Sequence, residues 1–452
     1  MPLTKTPLLA ETVRKLVSRG AAASAHRILS KLHPADVAQV LVDLPGAYRL
    51  KTFRVVYQRD LALAAAAVGE MGVERAGTLL ERLEPGAISS LLQELDPDDA
   101  AGFLSALPEE IREQVLRGMR AREASDVEDL LQYPEQTAGR IMNPKVFSIT
   151  EDTTIGEAIR LLQASPDVEM VFYLYVVDRH ETLVGVLSLR QLLQRRPDVA
   201  VSEVMVTDVL RVRTDMDQEE VAQLVASYNI LAVPVVSHQG KLVGVVTVDD
   251  VIDVIKEEAT EDMYRMAGLG TAESVFTAAP RSIRMRIPWL TLNLATAFLA
   301  SWVVSLFEAS IARFAILAVF MPMVPLLGGN AGNQTLTVMV RGIALGELSW
   351  KNSRKALLKE LSVGAANGLL IGLLIAAFAW LWKGDPRIGL ALALAMCGTM
   401  IVAAVVGTLM PLTLRWLKVD PALASSVFVT TATDVAGFLL FLGIGVQALT
   451  LL

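Results

Sequence analysis

Along residues 1–135, apolar positions recur at helical spacing with Pro as punctuation. Three segments repeat one another: LSKLHPADVAQVLVDLP (Leu29–Pro45), LERLEPGAISSLLQELD (Leu80–Asp96) and LQELDPDDAAGFLSALP (Leu92–Pro108). Each reads Leu-x-x-Leu, one residue, Pro, then an amphipathic helix. Pro suits a first helical turn because the N–H it lacks has no partner there anyway. The pattern predicts a stack of short repeated helices.

The period changes over residues 136–254. β-Branched runs replace the helical stripe, and the segment repeats itself. FYLYVVDRHETLVGVLSLRQLL (Phe172–Leu193) matches ILAVPVVSHQGKLVGVVTVDDVI (Ile230–Ile252), with Val176-Val177 and Val235-Val236 offset by 59 positions. Upstream, MNPKVFSITEDTTIGEAIRLL pairs with MVTDVLRVRTDMDQEEVAQLV. Each copy reads strand, helix, strand, strand, helix, with a polar hairpin between the last two strands.

Residues 255–286 read as a connecting helix, continuous with an acidic stretch that begins at Asp249. Asp250, Asp253, Glu257 and Glu261 fall on one helical face, with Glu258 and Asp262 beside it. A second acidic patch contains Asp217 and Glu219, and a third Asp98 and Asp99 in the first turn of a predicted helix. For the last pair the readings are helix-dipole complementarity or a cation site shared with another domain, and an isolated acidic face is commonly a solvated one. The position of the acidic helix, leading straight into apolar sequence, argues for cation binding, and at this point both readings of the face stand. Oxygen-only clusters without His or Cys suit hard cations such as Mg²⁺ or Ca²⁺.

Residues 287–452 form five apolar runs, at about 288–307, 314–340, 361–382, 388–414 and 421–452, each long enough to cross a bilayer. If the runs alternate in direction, ten basic residues fall on the side of the polar half and only Arg313, Lys383 and Arg387 on the other. That bias places residues 1–286 in the cytosol and the C-terminus outside, in a multi-pass protein of the plasma (inner) membrane. The N-terminal sequence has no signal-peptide core, which agrees.

Composition narrows the chemistry. Of 452 residues, 53% are hydrophobic, and the charge is concentrated before residue 287. The net charge of −7 argues against nucleic acid as a partner. Cys397 is the only cysteine, and four scattered His give no metal-ligand spacing. No His-Glu-x-x-His or Gly-x-Ser-x-Gly is present, so the sequence does not read as an enzyme.

Two apolar runs carry candidate transport chemistry. The fifth holds one carboxylate, Asp434, with Thr430, Thr431 and Thr433 within the preceding turn and Gly437 one turn later. A carboxylate at membrane depth costs about 2.5–3.5 kcal/mol even on lenient scales, so it should face protein or water. The second run reads FMPMVPLLGGNAGNQTLTVMV. Its Pro and Gly predict a broken backbone, and Asn330, Asn333 and Gln334 place amides there. Gly364, Gly368 and Gly372 in the third run predict close helix packing.

The double repeat resembles a tandem pair of CBS domains, through the two Met-x-x-x-Val segments, the Val-Val strands and the pattern Gly-x-x-Ser/Thr-x-x-Asp. That resemblance implies adenine-nucleotide (ATP) contacts at Gly244, Thr247 and Asp250; the first copy has Gly185 and Ser188 but Gln191 in place of Asp. The whole order of segments, with Pro-x-x-Pro-x-x-Gly-Gly-Asn-x-Gly-Asn-Gln in the second run and Thr-Asp-Val-x-Gly in the fifth, closely resembles the MgtE family of magnesium channels. The resemblance implies a multidomain membrane protein: an all-α helical-repeat N-terminal domain, an α/β tandem CBS pair, a connecting helix and a five-helix α transmembrane domain. It implies a homodimer in membrane lipid, handling divalent cations, with a pore at Asp434, Asn330, Asn333 and Thr430. It implies regulatory Mg²⁺ sites among Asp98, Asp217, Glu219, Asp250, Asp253, Glu258, Glu261 and Asp262. Gly102, Asn229 and Ser426 stand where relatives can carry Asp, Asp and Asn. The competing expectation is a membrane-anchored adenine-nucleotide sensor that transports nothing.

Overall fold

The computed structural model describes residues 6–165, 172–270, 273, 275, 277–423 and 425–451. The chain divides into two compact units, Met1–Val254 and Ile255–Leu452.

Among the described residues, the first unit opens with nine helices: α1 (Thr6–Ser18), α2 (Ala22–Leu29), α3 (Pro34–Asp43), α4 (Gly46–Arg59), α5 (Leu61–Leu80), α6 (Pro85–Leu92), α7 (Pro97–Ser105), α8 (Glu109–Gly118) and α9 (Ala121–Leu131). The three repeated segments become α3, α6 and α7, each with Pro in its first turn. α5 is kinked at Gly72, whose φ of +73° lies where glycine has no steric cost.

A short α10 (Ala138–Ile141) leads into the double repeat. Its first copy is β1 (Ser148–Thr150), α11 (Ile155–Gln163), β2 (Tyr173–Val177), β3 (Leu183–Ser188) and α12 (Leu189–Gln194). The second is β4 (Val212–Arg213), α13 (Gln218–Tyr228), β5 (Ala232–Val236), β6 (Leu242–Thr247) and the start of α14 (Val248–Met266). Each copy has a three-stranded sheet, one parallel and one antiparallel pair, with a register shift at Val176/Val177 and again at Val235/Val236. The two hairpins meet: Leu183 N–H donates to Gly240 O at 3.1 Å and Leu242 N–H to Glu181 O at 3.0 Å. The second copy shares one continuous apolar core with the helical stack, through Val212, Val221, Val233 and Val246. The first copy keeps its own core around Ile155, Leu174 and Leu187.

Among its described residues, the second unit contains five helices long and apolar enough to span a bilayer. They are α15 (Ala279–Ser305), the pair α17 (Ile316–Phe320) and α18 (Met323–Ala344), α19 (Ser353–Lys383), α20 (Pro386–Trp416) and α21 (Ser425–Leu451); a short α16 (Glu308–Arg313) follows α15. Among the described residues, the connecting helix expected over 255–286 ends at Met266, where Gly268 and Gly270 follow, and the next helix starts at Ala279. Arg281, Arg284 and Arg286 therefore open the first span rather than close the connector.

The glycines of the third span pack as their spacing predicts. A Cβ on Gly364 would meet Met400 O at 2.8 Å, one on Gly368 the Cα of Cys397 at 2.8 Å, and one on Gly372 Ala393 O at 2.9 Å. α19 and α20 thus touch backbone to backbone along three turns.

Candidate functional site

The expected rupture of the second span at its glycines does not occur. Its only break is at Met321 and Pro322, and α18 runs helically through Gly328, Gly329 and Gly332. Pro325 sits in the first turn, where its missing N–H costs nothing. The glycines bring helices together instead. A Cβ on Gly328 would lie 2.3 Å from Thr399, and one on Gly332 2.6 Å from Val429. Gly437 of α21 answers from the other side, against Pro325 at 3.1 Å. α18 and α21 therefore form a tight seam.

Polar groups flank this seam. On α18, Asn330, Gln334 and Thr337 are exposed, while Asn333 is half-buried, with its Oδ1 enclosed and without a hydrogen-bond partner. On α21, Thr430 and Asp434 lie one turn apart on a partly exposed face. The threonine hydroxyls donate along their own helix, Thr430 to Ser426 O at 2.7 Å and Thr431 to Val427 O at 2.6 Å. Their oxygens keep free lone pairs. Thr433, expected to join them, is completely buried over Gly328, Gly329 and Gly332 and is a packing residue.

A second buried carboxylate escaped the sequence reading. Glu360 of α19 is 4% exposed; its Oε2 accepts from Thr335 Oγ1 of α18 at 3.0 Å, and its Oε1 pairs with Lys359. The charged neighbours of Glu360 in sequence made it look like part of a polar loop.

In the first unit, α7 begins at Pro97, so Asp98 and Asp99 stand in its first turn. They lie among the carboxylates that open α14. Burial, then the charges of Asp250, Asp99 and Asp96, push Asp98 well above the usual carboxyl range. Its Oδ1 is enclosed with no partner. Asp99 is raised to about 6, by partial desolvation first, then by Asp96, Asp249, Asp253 and Glu70, although its side chain still meets solvent. Asp250 is raised to about 7, by burial and against the opposing pull of Thr247. Asp98, Asp250 and Asp253 are thus brought together with their sequence neighbours Asp99 and Asp249, and with Glu70, which sequence spacing did not reveal. Asp217 is used locally: it caps α13, its Oδ1 accepting from Glu219 N–H at 2.8 Å. The Glu219 side chain accepts from Gln223 at 3.3 Å. Asn229 closes the same helix in the left-handed region, φ 50°, a conformation that Asn tolerates.

In the second unit, Asp262 is raised to about 6 by burial, Asp420 and Glu258. Arg265 bridges Glu261 and Asp420, so Glu261 is neutralised by a cation one turn away. Asp420 also accepts from Ala422 N–H at 2.8 Å. The sequence signal for it was an acid directly before the fifth span. Among the described residues, no three carboxylates, imidazoles or thiolates close into a cage.

The nucleotide motif has a local explanation. Thr247 donates its hydroxyl to Asp250 Oδ2, and its N–H donates to the same oxygen at 3.3 Å. Ser188 and Gln191 form the corresponding capping box before α12. Gln therefore serves the cap as well as Asp does. Gly244 is where Met142 presses closest, a Cβ there meeting its Sδ at 2.7 Å, and Gly185 stands likewise against Met205 at 2.4 Å. The Met and Gly of the motif contact each other.

Comparison with known proteins decides the lineage. Residues 321–444 match the family described as divalent cation transporter, residues 32–136 the MgtE intracellular N domain, and residues 138–198 and 201–257 the CBS domain. The magnesium transporter MgtE of Thermus thermophilus is 34% identical over 96% of this chain and 97% of its own. The chain belongs to the MgtE family.

The magnesium transporter MgtE of Bacillus subtilis is 33% identical over 92% of each chain. The crystal structure of the cytosolic domain of the Mg²⁺ channel MgtE in complex with ATP aligns with 54% of this chain and 99% of its own, at 36% identity and a TM-score of 0.51. Family and five apolar helices together make this MgtE-family chain a membrane protein, with a transport rather than an enzymatic role.

Proposed function

We propose that this chain forms a homodimeric Mg²⁺ channel for magnesium uptake, closed by cytosolic Mg²⁺. The α18–α21 seam carries the reading. Asn330, Gln334 and Thr337 leave a polar face open on a helix of membrane length, and lipid cannot solvate it. A second copy placed against that face gives a water-filled path between the seams. Asp434 of each copy then faces a shared axis.

Mg²⁺ gives up its waters reluctantly. Bound waters point their hydrogens outward, so a site for the hydrated ion needs acceptors. Asp434, the Thr430 oxygen and the unpartnered Asn333 Oδ1 are acceptors, and Asn330 adds an amide. A negative-inside potential of about 100 mV favours entry of a divalent ion by about 4.6 kcal/mol, so such a pore needs a gate.

The acidic clusters supply it. Asp98, Asp250 and Asp253 crowd together in one unit, and Glu258, Glu261 and Asp262 stand with Asp420 in the other; ionisation is opposed at Asp98, Asp250 and Asp262. Hydrated Mg²⁺ is held by one or two carboxylates and its own waters, which suits rows of acids better than a closed cage. Asp217 and Glu219 belong to this set if a second copy supplies their cation. Mg²⁺ must bind the closed state more tightly than the open one. The bias of basic residues supports a plasma-membrane protein whose N-terminal unit is cytosolic and whose C-terminus is outside. ATP at Gly244, Thr247 and Asp250 is part of this reading, supported by the relative's cytosolic domain, whose crystal structure is in complex with ATP.

The test is Mg²⁺ flux into liposomes containing the purified protein, with Mg²⁺ varied on the cytosolic face. Flux that falls as cytosolic Mg²⁺ rises supports the reading. A protein that binds nucleotide but passes no Mg²⁺ supports the sensor alternative.

A further inference from the structure

Where the helical stack meets the CBS pair, a cavity of about 240 Å³ is lined by Ser105, Arg112, Leu131, Tyr133, Glu135 and Arg140. Two guanidinium groups therefore face one hollow. Arg140 is half-buried; it donates to Leu130 O at 3.0 Å and to Ser105 Oγ. Burial and the nearby Arg112 both work against its charge, and Glu135 only partly offsets them. Arg112 pairs with Glu109 one turn away on α8. Each guanidinium carries five N–H donors, more than these contacts use. Two forks converging on a hollow of this size match a tetrahedral oxyanion, which accepts bidentate bonds from each.

We propose that this cavity binds the phosphate group of a small phosphorylated molecule. Glu135 on the rim can accept from a hydroxyl or ammonium elsewhere on that molecule. The place matters for regulation. Arg140 holds Ser105, the last residue of α7, and Asp98 and Asp99 stand in the first turn of the same nine-residue helix. Arg140 also sits on α10, whose Ala138 and Gly139 N–H groups donate to Met216 O at 2.7 Å and Thr214 O at 2.9 Å. A bound anion would tie the helical stack to the second CBS copy. That regulatory link rests on the cation sensing proposed above, whereas anion binding itself does not.

The test therefore measures binding directly. The full chain, in a detergent free of phosphate, is titrated with inorganic phosphate by calorimetry. Saturable binding is expected, with Arg112→Gln and Arg140→Gln each raising the Kd at least about tenfold, the loss of one charge-assisted contact. Arg117→Gln, on the same helix but paired with Glu113 and not lining the cavity, should leave the Kd unchanged. If Arg140→Gln lowers the melting temperature, Arg112→Gln decides alone. No saturable binding, or equal affinity in all variants, overturns the proposal.

Discussion

Burial, and then the charge of Asp250 at the start of α14, oppose ionisation of Asp98 at the start of α7, whose Oδ1 is buried without a partner. A fold with no other use for these groups would separate them. Here the helical stack and the second CBS copy share one core, which holds the two helix starts together.

The first prediction concerns pH. Asp250 is raised to about 7 and Asp99 to about 6, so the folded chain binds more protons than the unfolded chain between about pH 4 and pH 7. Their contribution to stability is full below that window and is lost as pH rises through it. In EDTA, the melting temperature should fall from pH 5 to pH 8. Mg²⁺ should restore it at pH 8 and do little at pH 5, where protons already occupy the carboxylates. A melting temperature that rises with pH in EDTA would remove the cluster as a cation site.

Neutralising the pair gives a second prediction. Asp98→Asn with Asp250→Asn relieves the repulsion, so stability in EDTA should rise at pH 8. Inhibition of flux by cytosolic Mg²⁺ should weaken at the same time. Melting curves and liposome flux on one preparation check both. Greater stability with unchanged inhibition would assign gating elsewhere.

Glu360 supplies the third. Its carboxylate is buried beside Thr335, but Lys359 is 60% exposed, so solvent screens part of the pair. Glu360→Leu should destabilise the protein by about 1–3 kcal/mol, chiefly by leaving the Thr335 hydroxyl unpartnered. Glu360→Gln, which keeps an acceptor, should cost less. Thermal unfolding in detergent would show the order, and equal losses would contradict it.

The fourth concerns packing. Gly368→Ala places a methyl against the backbone of Cys397, where no side chain can yield, and should cost about 1–3 kcal/mol. Gly443→Ala, with open space around it, should be neutral or favourable by up to about 1 kcal/mol. Folded yield and melting temperature separate the two.

Much of this was legible in sequence because it depends on local period. The helical repeats, the 59-residue offset of the two CBS copies, the five spans and the glycine stripe of α19 are all patterns within one segment. What the sequence hid are pairings between distant segments. Asp249 and Asp250 meet Asp98 and Asp99 only through the shared core. Asp420 enters through Arg265, which also takes Glu261 out of the acidic face. Gly328 and Gly332 suggested a broken helix, because the sequence cannot show that Thr399 and Val429 press against them. Thr433 looked equivalent to Thr430 until that same seam buried it.

The most direct measurement is Mg²⁺ flux through Asp434→Asn in liposomes, with wild-type protein as reference and folding checked by melting temperature. A folded variant whose flux falls by about tenfold or more, the loss of one charge-assisted contact, is the predicted result. Wild-type flux through a folded Asp434→Asn protein would contradict the α18–α21 seam as the ion path.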